Sequence, residues 1–149
     1  MLSFLRHPGC PFAERTLRSL RSAAETSPEV EWIAVSHASR DATDEWARAV
    51  GESAGVELVV DADRRLYAAW GIGRTSLSHF MGERALRGVL RQAREGIRNR
   101  HPHRSRWQGA GTFALDSSGT VRWRHLPEHA GDLPDLGRAA RAALEGSAG

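Results

Sequence analysis

Short apolar runs alternate with amphipathic stretches along the first sixty residues, and this pattern predicts strands alternating with helices. The apolar runs are Leu2–Leu5, Val30–Val35 and Val56–Val60. Between them lie two stretches of helical periodicity, Pro11–Ala24 and one that begins at Asp41 or Thr43, either of which can cap it. Strand–helix–strand units of this kind indicate a mainly parallel sheet.

The second half of the chain adds a short helix, an insertion, a hairpin and a closing helix. The segment Asp61–Arg65 opens the short helix, which runs through Trp70, and Asp61 and Asp63 are expected to cap it. An insertion follows at about 74–108, with helical periodicity over Gly82–Arg98. The remaining predicted elements are the strands Thr112–Asp116 and Thr120–His125 and the helix Pro134–Leu144. We expect one α/β domain over residues 1–149, with a central mixed sheet flanked by helices.

The composition indicates the cellular compartment and whether a membrane is a partner. No apolar run approaches the roughly 20 residues that span a bilayer, and the apolar N-terminus is too short for a signal peptide. The single cysteine excludes an internal disulfide, which fits a reducing compartment. We therefore expect a cytoplasmic protein with no membrane partner.

All 21 basic residues are arginine, so lysine-dependent Schiff-base and P-loop chemistry is excluded. The net charge is only +3 and no nucleic-acid motif is present, so we expect no nucleic-acid partner. The insertion carries an arginine stripe at helical spacing, formed by Arg84, Arg87, Arg91, Arg94 and Arg98. This stripe is interpreted as a solvated helix face or as a docking face for anionic partners.

Cys10 lies where a reactive thiol is favoured, between an apolar strand with a Pro-Gly turn and a helix that begins at Pro11. Cys10 is thus the expected N-cap. A thiolate there can accept N–H bonds from Phe12 and Ala13 and is stabilised by the helix dipole, so it forms at lower pH than a free thiolate. The alternative is a small buried apolar residue, as free cysteines usually are.

Three segments of the chain carry a resemblance to a known family. They are Phe4–Ala13 (FLRHPGCPFA), Val60–Tyr67 with Trp70-Gly71-Ile72, and Trp107–Asp116 (WQGAGTFALD) with Gly119 and Val121. In this order they resemble the alkyl hydroperoxide reductase / thiol-specific antioxidant (AhpC/TSA) family, in its peroxiredoxin-like branch. The resemblance implies a thioredoxin-like fold, and the helical, arginine-rich insertion of this chain lies before the last hairpin.

Several family positions differ in this chain. Where peroxiredoxins carry a proline, a threonine and an arginine, the sequence has Ser3, His7 and Ala110, and Ala13 replaces the second cysteine of thioredoxins. The family's strand and hairpin before the thiol are mostly absent, because only nine residues precede Cys10. Either the domain is minimal or the true start lies further upstream.

The resemblance implies a thiol-dependent peroxidase of the one-cysteine type. Cys10 would reduce a hydroperoxide, and an external thiol, from glutathione or a thioredoxin-type protein, would restore it. His7 is a candidate thiolate partner, Thr112 a candidate substrate contact, and Arg6 or Arg106 a candidate substitute for the family arginine. No cofactor is expected, and a homodimer is carried over from the family.

Two other functions stay open. One is a non-catalytic thioredoxin-fold binding or scaffold protein, and the other is thiol–disulfide exchange or a glutathione-linked activity. The histidine pairs His101/His103 and His125/His129 lack an accompanying acidic or cysteine cluster, so they are interpreted as loop residues and no metal is expected.

Overall fold

The structure is a computed structural model that describes residues 1–51, 53–74, 107–129 and 131–146. The strands are β1 (Leu2–Phe4), β2 (Ile33–Ser36), β3 (Glu57–Val60), β4 (Gly111–Leu115) and β5 (Val121–His125). The helices are α1 (Pro11–Thr26), α2 (Arg40–Ala49), α3 (Arg65–Ala69) and α4 (Leu136–Glu145). This order confirms the predicted succession of elements. Among the described residues, no helix is long and apolar enough to cross a membrane.

The five strands form one mixed sheet in the order β3-β2-β1-β4-β5. The strands β1, β2 and β3 are parallel, and the hairpin β4–β5 adds two antiparallel strands beside β1. In register, Ser3 lies opposite Thr112 on β4, and Phe4 lies opposite Val35 on β2. The predicted mixed sheet flanked by helices is confirmed.

Alternation along the strands divides the core between the two faces of the sheet. One face buries Leu5 and Ala34 together with apolar residues of α1, α2 and α4. The other face buries Phe4 and Val35 against Tyr67 of α3. Side chains alternate along a strand, so Phe4 and Leu5 are buried on opposite faces of the sheet. Their burial fixes the direction in which the chain after β1 leaves the sheet.

The start of α2 differs from the prediction. Ser39, and not Asp41 or Thr43, is the N-cap, and its hydroxyl accepts the N–H of Ala42 at 3.4 Å. Thr43 is fully buried, and its hydroxyl donates to Ser36 Oγ at 2.9 Å. The prediction failed because the partner of Thr43 lies on a neighbouring strand and is not visible in the local sequence.

Other boundaries shift by a few residues. The strand β2 begins at Ile33 and not at Val30, because the segment before it buries Trp32, whose indole N–H donates to Ser27 O at 3.1 Å. The helix α4 begins at Leu136, two residues later than the predicted start at Pro134, and Asp135 caps it. At α3, the carboxylate of Asp61 accepts the N–H groups of Arg65 and Tyr67, so the capping predicted for Asp61 is confirmed.

The two ends of the insertion lie side by side. Arg74 and Gln108 form an antiparallel bridge, and Gly109 N–H donates to Gly73 O at 3.0 Å. Only glycine fits at 109, because a Cβ there would lie 2.6 Å from Gly73 O. The predicted helix Gly82–Arg98 and its arginine stripe lie outside the described residues.

Candidate active site

A tight turn joins β1 to α1 and sets the position of Cys10. Cys10 N–H donates to His7 O at 3.1 Å, and Gly9 has a φ of +93°. Proline followed by a residue of positive φ is the signature of a type II turn, which glycine adopts without steric cost. The predicted Pro-Gly turn is confirmed, and it delivers Cys10 directly to the helix.

Cys10 is the N-cap of α1, as predicted, with extended backbone angles and Pro11 next to it. Its side chain makes no capping hydrogen bond, so the bonds expected from Phe12 and Ala13 are not formed in this structure. A neutral thiol is a weak acceptor. Cys10 packs instead into the core on the α1 side of the sheet and is 5% exposed.

Arg6 is a buried charged residue close to the thiol in the sequence. Its side chain is 4% exposed, and it lies four residues before Cys10. Burial lowers the pKa of Arg6, and attraction to the Cys10 thiolate works in the opposite direction. An arginine guanidinium stays protonated at neutral pH in proteins. The segment that leads to Cys10 therefore carries a buried positive charge.

His7 is also buried, and its ring binds the local backbone. Nδ1 lies 3.0 Å from Pro8 O. A carbonyl oxygen only accepts, so Nδ1 carries the hydrogen and Nε2 is the basic nitrogen of the neutral ring. This bond to the backbone holds the His7 ring within the turn. The role as a thiolate partner stays a prediction.

Thr112 lies on β4, where its hydroxyl is 2.9 Å from Ser3 Oγ on β1. Both side chains are buried, and both line a cleft of about 200 Å³ beside the first turns of α1. Arg6, Phe12 and Ala13 line the same cleft, whereas Cys10 is not among its lining residues. Thr112 and Arg6 are thus brought together in the lining of one cleft, which does not include Cys10.

Sequence reasoning missed Tyr67, the only tyrosine in the chain. Its hydroxyl lies 2.5 Å from Leu5 O and 2.8 Å from Val35 O, and the residue is 1% exposed. Burial raises the pKa of Tyr67, so the phenol stays protonated and donates its hydrogen. The segment that contains Tyr67 carried part of the family resemblance, but no local pattern indicated that the hydroxyl reaches two strands.

The other predicted candidates do not join this site. Arg106, His101 and His103 lie outside the described residues. His125 Nε2 lies 3.6 Å from a carboxylate oxygen of Asp132, while His129 Nδ1 accepts a backbone N–H. Within the described part of the chain, no group of three or more His, Cys, Asp or Glu residues is placed to hold a metal ion.

Comparison with known protein families shows the family to which the chain belongs. Residues 16–129 match the family described as AhpC/TSA antioxidant enzyme. The chain belongs to the AhpC/TSA family. Its fold is thioredoxin-like, and the family points to a thioredoxin-like redox function. No curated protein and no solved structure matches the chain.

The AhpC/TSA match begins six residues after Cys10, so it covers Tyr67 and Thr112 but not the segment Arg6–Cys10. The family assignment therefore rests on the part of the fold that follows the thiol segment. The reactivity of the thiol depends on Cys10 and the residues around it.

Proposed function

We propose that this AhpC/TSA protein is a hydroperoxide reductase of the one-cysteine type, with Cys10 as its redox thiol. One observation carries the proposal: Cys10 is the N-cap of α1, and the buried Arg6 lies four residues before it. A positive charge and a helix N-terminus both favour the thiolate, which is the form that attacks peroxides.

In the first step, the Cys10 thiolate attacks one oxygen of the hydroperoxide. The S–O bond forms as the O–O bond breaks, and the leaving alkoxide takes a proton and departs as the alcohol, or as water from hydrogen peroxide. Sulfur loses two electrons and becomes a sulfenic acid, and the peroxide is reduced by the same two electrons.

In the second step, an external thiol attacks the sulfenic acid and releases water, which leaves a mixed disulfide with Cys10. A second external thiol then attacks this disulfide and regenerates the Cys10 thiolate. The external pair leaves as a disulfide. This sequence contains one cysteine, so the reductant has to come from another molecule, either glutathione or a thioredoxin-type protein.

Arg6 takes the place of the family arginine in this proposal. Its charge can stabilise both the thiolate and the negative charge that develops on the leaving oxygen. Thr112 is proposed as a substrate contact, because its hydroxyl lines the cleft that Arg6 also lines. His7 is proposed to present Nε2 toward the thiol once Nδ1 is held by Pro8 O.

One observation favours a second candidate, the non-catalytic binding or scaffold protein. Cys10 is buried in the core, as an inert structural cysteine would be. In that case the thiol has no special reactivity, and the fold alone is retained from the AhpC/TSA family.

Intact-protein mass spectrometry separates the two candidates. The protein is treated with one equivalent of hydrogen peroxide and then with glutathione, with Cys10→Ser as the control. The proposal predicts the addition of one oxygen atom, followed by a glutathione adduct that excess glutathione removes. An unchanged mass at every stage contradicts the proposal and supports the scaffold role. An adduct formed only with preformed glutathione disulfide would instead indicate thiol–disulfide exchange.

A further inference from the structure

We infer that Tyr67 is a positioning residue for the thiol site: its hydroxyl anchors the Leu5 carbonyl and so fixes the direction in which Arg6 leaves the sheet. The inference rests on the proposed role of Cys10. It goes further by giving a function to a residue on α3, far from the thiol in sequence.

The Tyr67 hydroxyl bonds to two backbone oxygens, one on β2 and one on the residue that directly follows β1. Tyr67 Oη lies 2.5 Å from Leu5 O and 2.8 Å from Val35 O, so its single hydrogen is shared between them. Leu5 N–H also donates to Val35 O at 2.9 Å. Leu5 is therefore held to β2 through both its N–H and, by way of the hydroxyl, its carbonyl.

Rigid elements hold the Tyr67 ring in turn. Phe4 and His37 both meet the ring edge-on, with centroids 5.0 Å and 5.7 Å away. The Tyr67 N–H donates to Asp61 Oδ2 at 3.1 Å, which fixes the start of α3. With the ring 1% exposed, the hydroxyl has little freedom to move away from the two carbonyls.

The Leu5 carbonyl belongs to the peptide bond that begins Arg6. A peptide unit is planar, so fixing its oxygen fixes the orientation of the Arg6 N–H and the start of the next residue. Arg6 begins the short segment that reaches Cys10 through the turn closed by Cys10 N–H and His7 O, and its buried side chain lines the cleft together with Thr112. Coulomb attraction falls with distance, so a displaced Arg6 stabilises the thiolate less.

The test compares Tyr67→Phe with Thr43→Val by the pH dependence of Cys10 alkylation. Each variant removes one buried hydroxyl that bonds to β2, at Val35 O for Tyr67 and at Ser36 Oγ for Thr43. Thr43 lies on the side of β2 opposite to Tyr67. We expect Tyr67→Phe to move the midpoint of the alkylation profile upward, with about threefold slower alkylation at pH 7. We expect Thr43→Val to lower the melting temperature without moving the midpoint.

A double-variant arm tests the route through Arg6. If Tyr67 acts by placing Arg6, then Tyr67→Phe has no further effect on the alkylation midpoint when Arg6→Gln is already present. An undiminished effect in that background overturns the inference. So does a Tyr67→Phe profile that overlays the wild-type profile, or one that moves by the same amount as Thr43→Val.

A second measurement needs no Tyr67 variant. Because the chain has one tyrosine, 3-fluorotyrosine labels only Tyr67. We expect its fluorine NMR resonance to shift when Cys10 is alkylated, and an unmoved resonance overturns the inference. Failure of the peroxidase proposal would look different, because peroxide would leave Cys10 unmodified while the alkylation and fluorine results still stand.

Discussion

The hairpin turn between β4 and β5 and the thiol end of β1 are both built on buried polar groups, but their partners lie at different sequence distances. At the hairpin, the carboxylate of Asp116 binds groups no more than six residues away, in Ser118, Thr120 and Arg122. At the thiol end, the hydroxyl of Tyr67 binds carbonyls 62 and 32 residues away. The hairpin turn is therefore stabilised by residues close together in the sequence. The thiol end of β1 is held by a residue from a distant element.

The Asp116 site shows what a local network does. Its Oδ1 accepts the N–H and hydroxyl of Ser118 and the N–H of Thr120, while Oδ2 accepts Arg122 Nε at 2.6 Å. The Ser118 hydroxyl first, then Arg122 and the backbone N–H groups, hold the pKa of Asp116 well below its ordinary value. This network stabilises a turn and contacts nothing at the thiol.

The largest effect expected at the thiol end comes from Cys10→Ser. Peroxide consumption in the presence of glutathione should fall to the level of a protein-free control, because serine does not attack peroxides at neutral pH. The variant should stay folded but melt at a somewhat lower temperature, because the serine hydroxyl replaces a thiol that is packed in the apolar core. Peroxide assays and calorimetry check the two halves. Retained peroxidase activity in this variant would remove Cys10 from the mechanism.

Arg6 tests whether charge or packing matters at the thiol end. We expect Arg6→Gln to slow the reaction of Cys10 with peroxide about tenfold at pH 7, because the variant removes the positive charge that is proposed to stabilise the leaving oxygen. Arg6→Lys keeps the charge and should recover part of the rate. Stopped-flow kinetics give both values. Equal losses in the two variants would show that Arg6 acts through its shape alone.

Asp116→Asn tests the hairpin side of the comparison. The variant should melt several degrees lower at pH 7 and leave the Cys10 alkylation rate unchanged. The folded carboxyl ionises at lower pH than the unfolded one, whose ordinary pKa is about 3.9. Its stabilising contribution is thus full above about pH 4 and is lost as the pH falls through the folded value.

Urea unfolding of wild type and Asp116→Asn at a series of pH values checks this dependence. The stability difference should be constant from pH 7 to about pH 5 and should shrink as the solution becomes more acidic. Asp63→Asn, at an exposed aspartate, serves as the matched control. A difference that persists undiminished at low pH would mean that the carboxylate charge plays no part.

The smallest expected effect is a loss of stability at the start of α4. Unlike the start of α1 at Cys10, this helix start has a side-chain cap. Asp135 accepts the N–H of Arg138 at 2.9 Å, at the start of α4. Asp135→Ala should cost about 1 kcal/mol in the free energy of unfolding. Denaturant titration measures the loss, with Asp63→Ala at an exposed aspartate as the control. Equal stability of Asp135→Ala and the control would contradict a contribution from this cap bond.

Local signals in the sequence explain which features could be predicted. The Pro-Gly turn, the N-cap position of Cys10 and the capping by Asp61 each depend on residues within a few positions, and all three are confirmed. The bond between Thr43 and Ser36 and the two bonds of the Tyr67 hydroxyl were missed. These contacts depend on which strands lie side by side, and a single sequence does not specify the placement of a side chain across that distance.

The most direct test of the central claim is the rate at which hydrogen peroxide oxidises Cys10 at pH 7 in the folded protein, with the same chain unfolded in urea as its reference. If the start of α1 and Arg6 activate the thiol, the folded protein should react at least about tenfold faster than the unfolded chain. Equal rates, or a slower reaction in the folded protein, would contradict an activated Cys10.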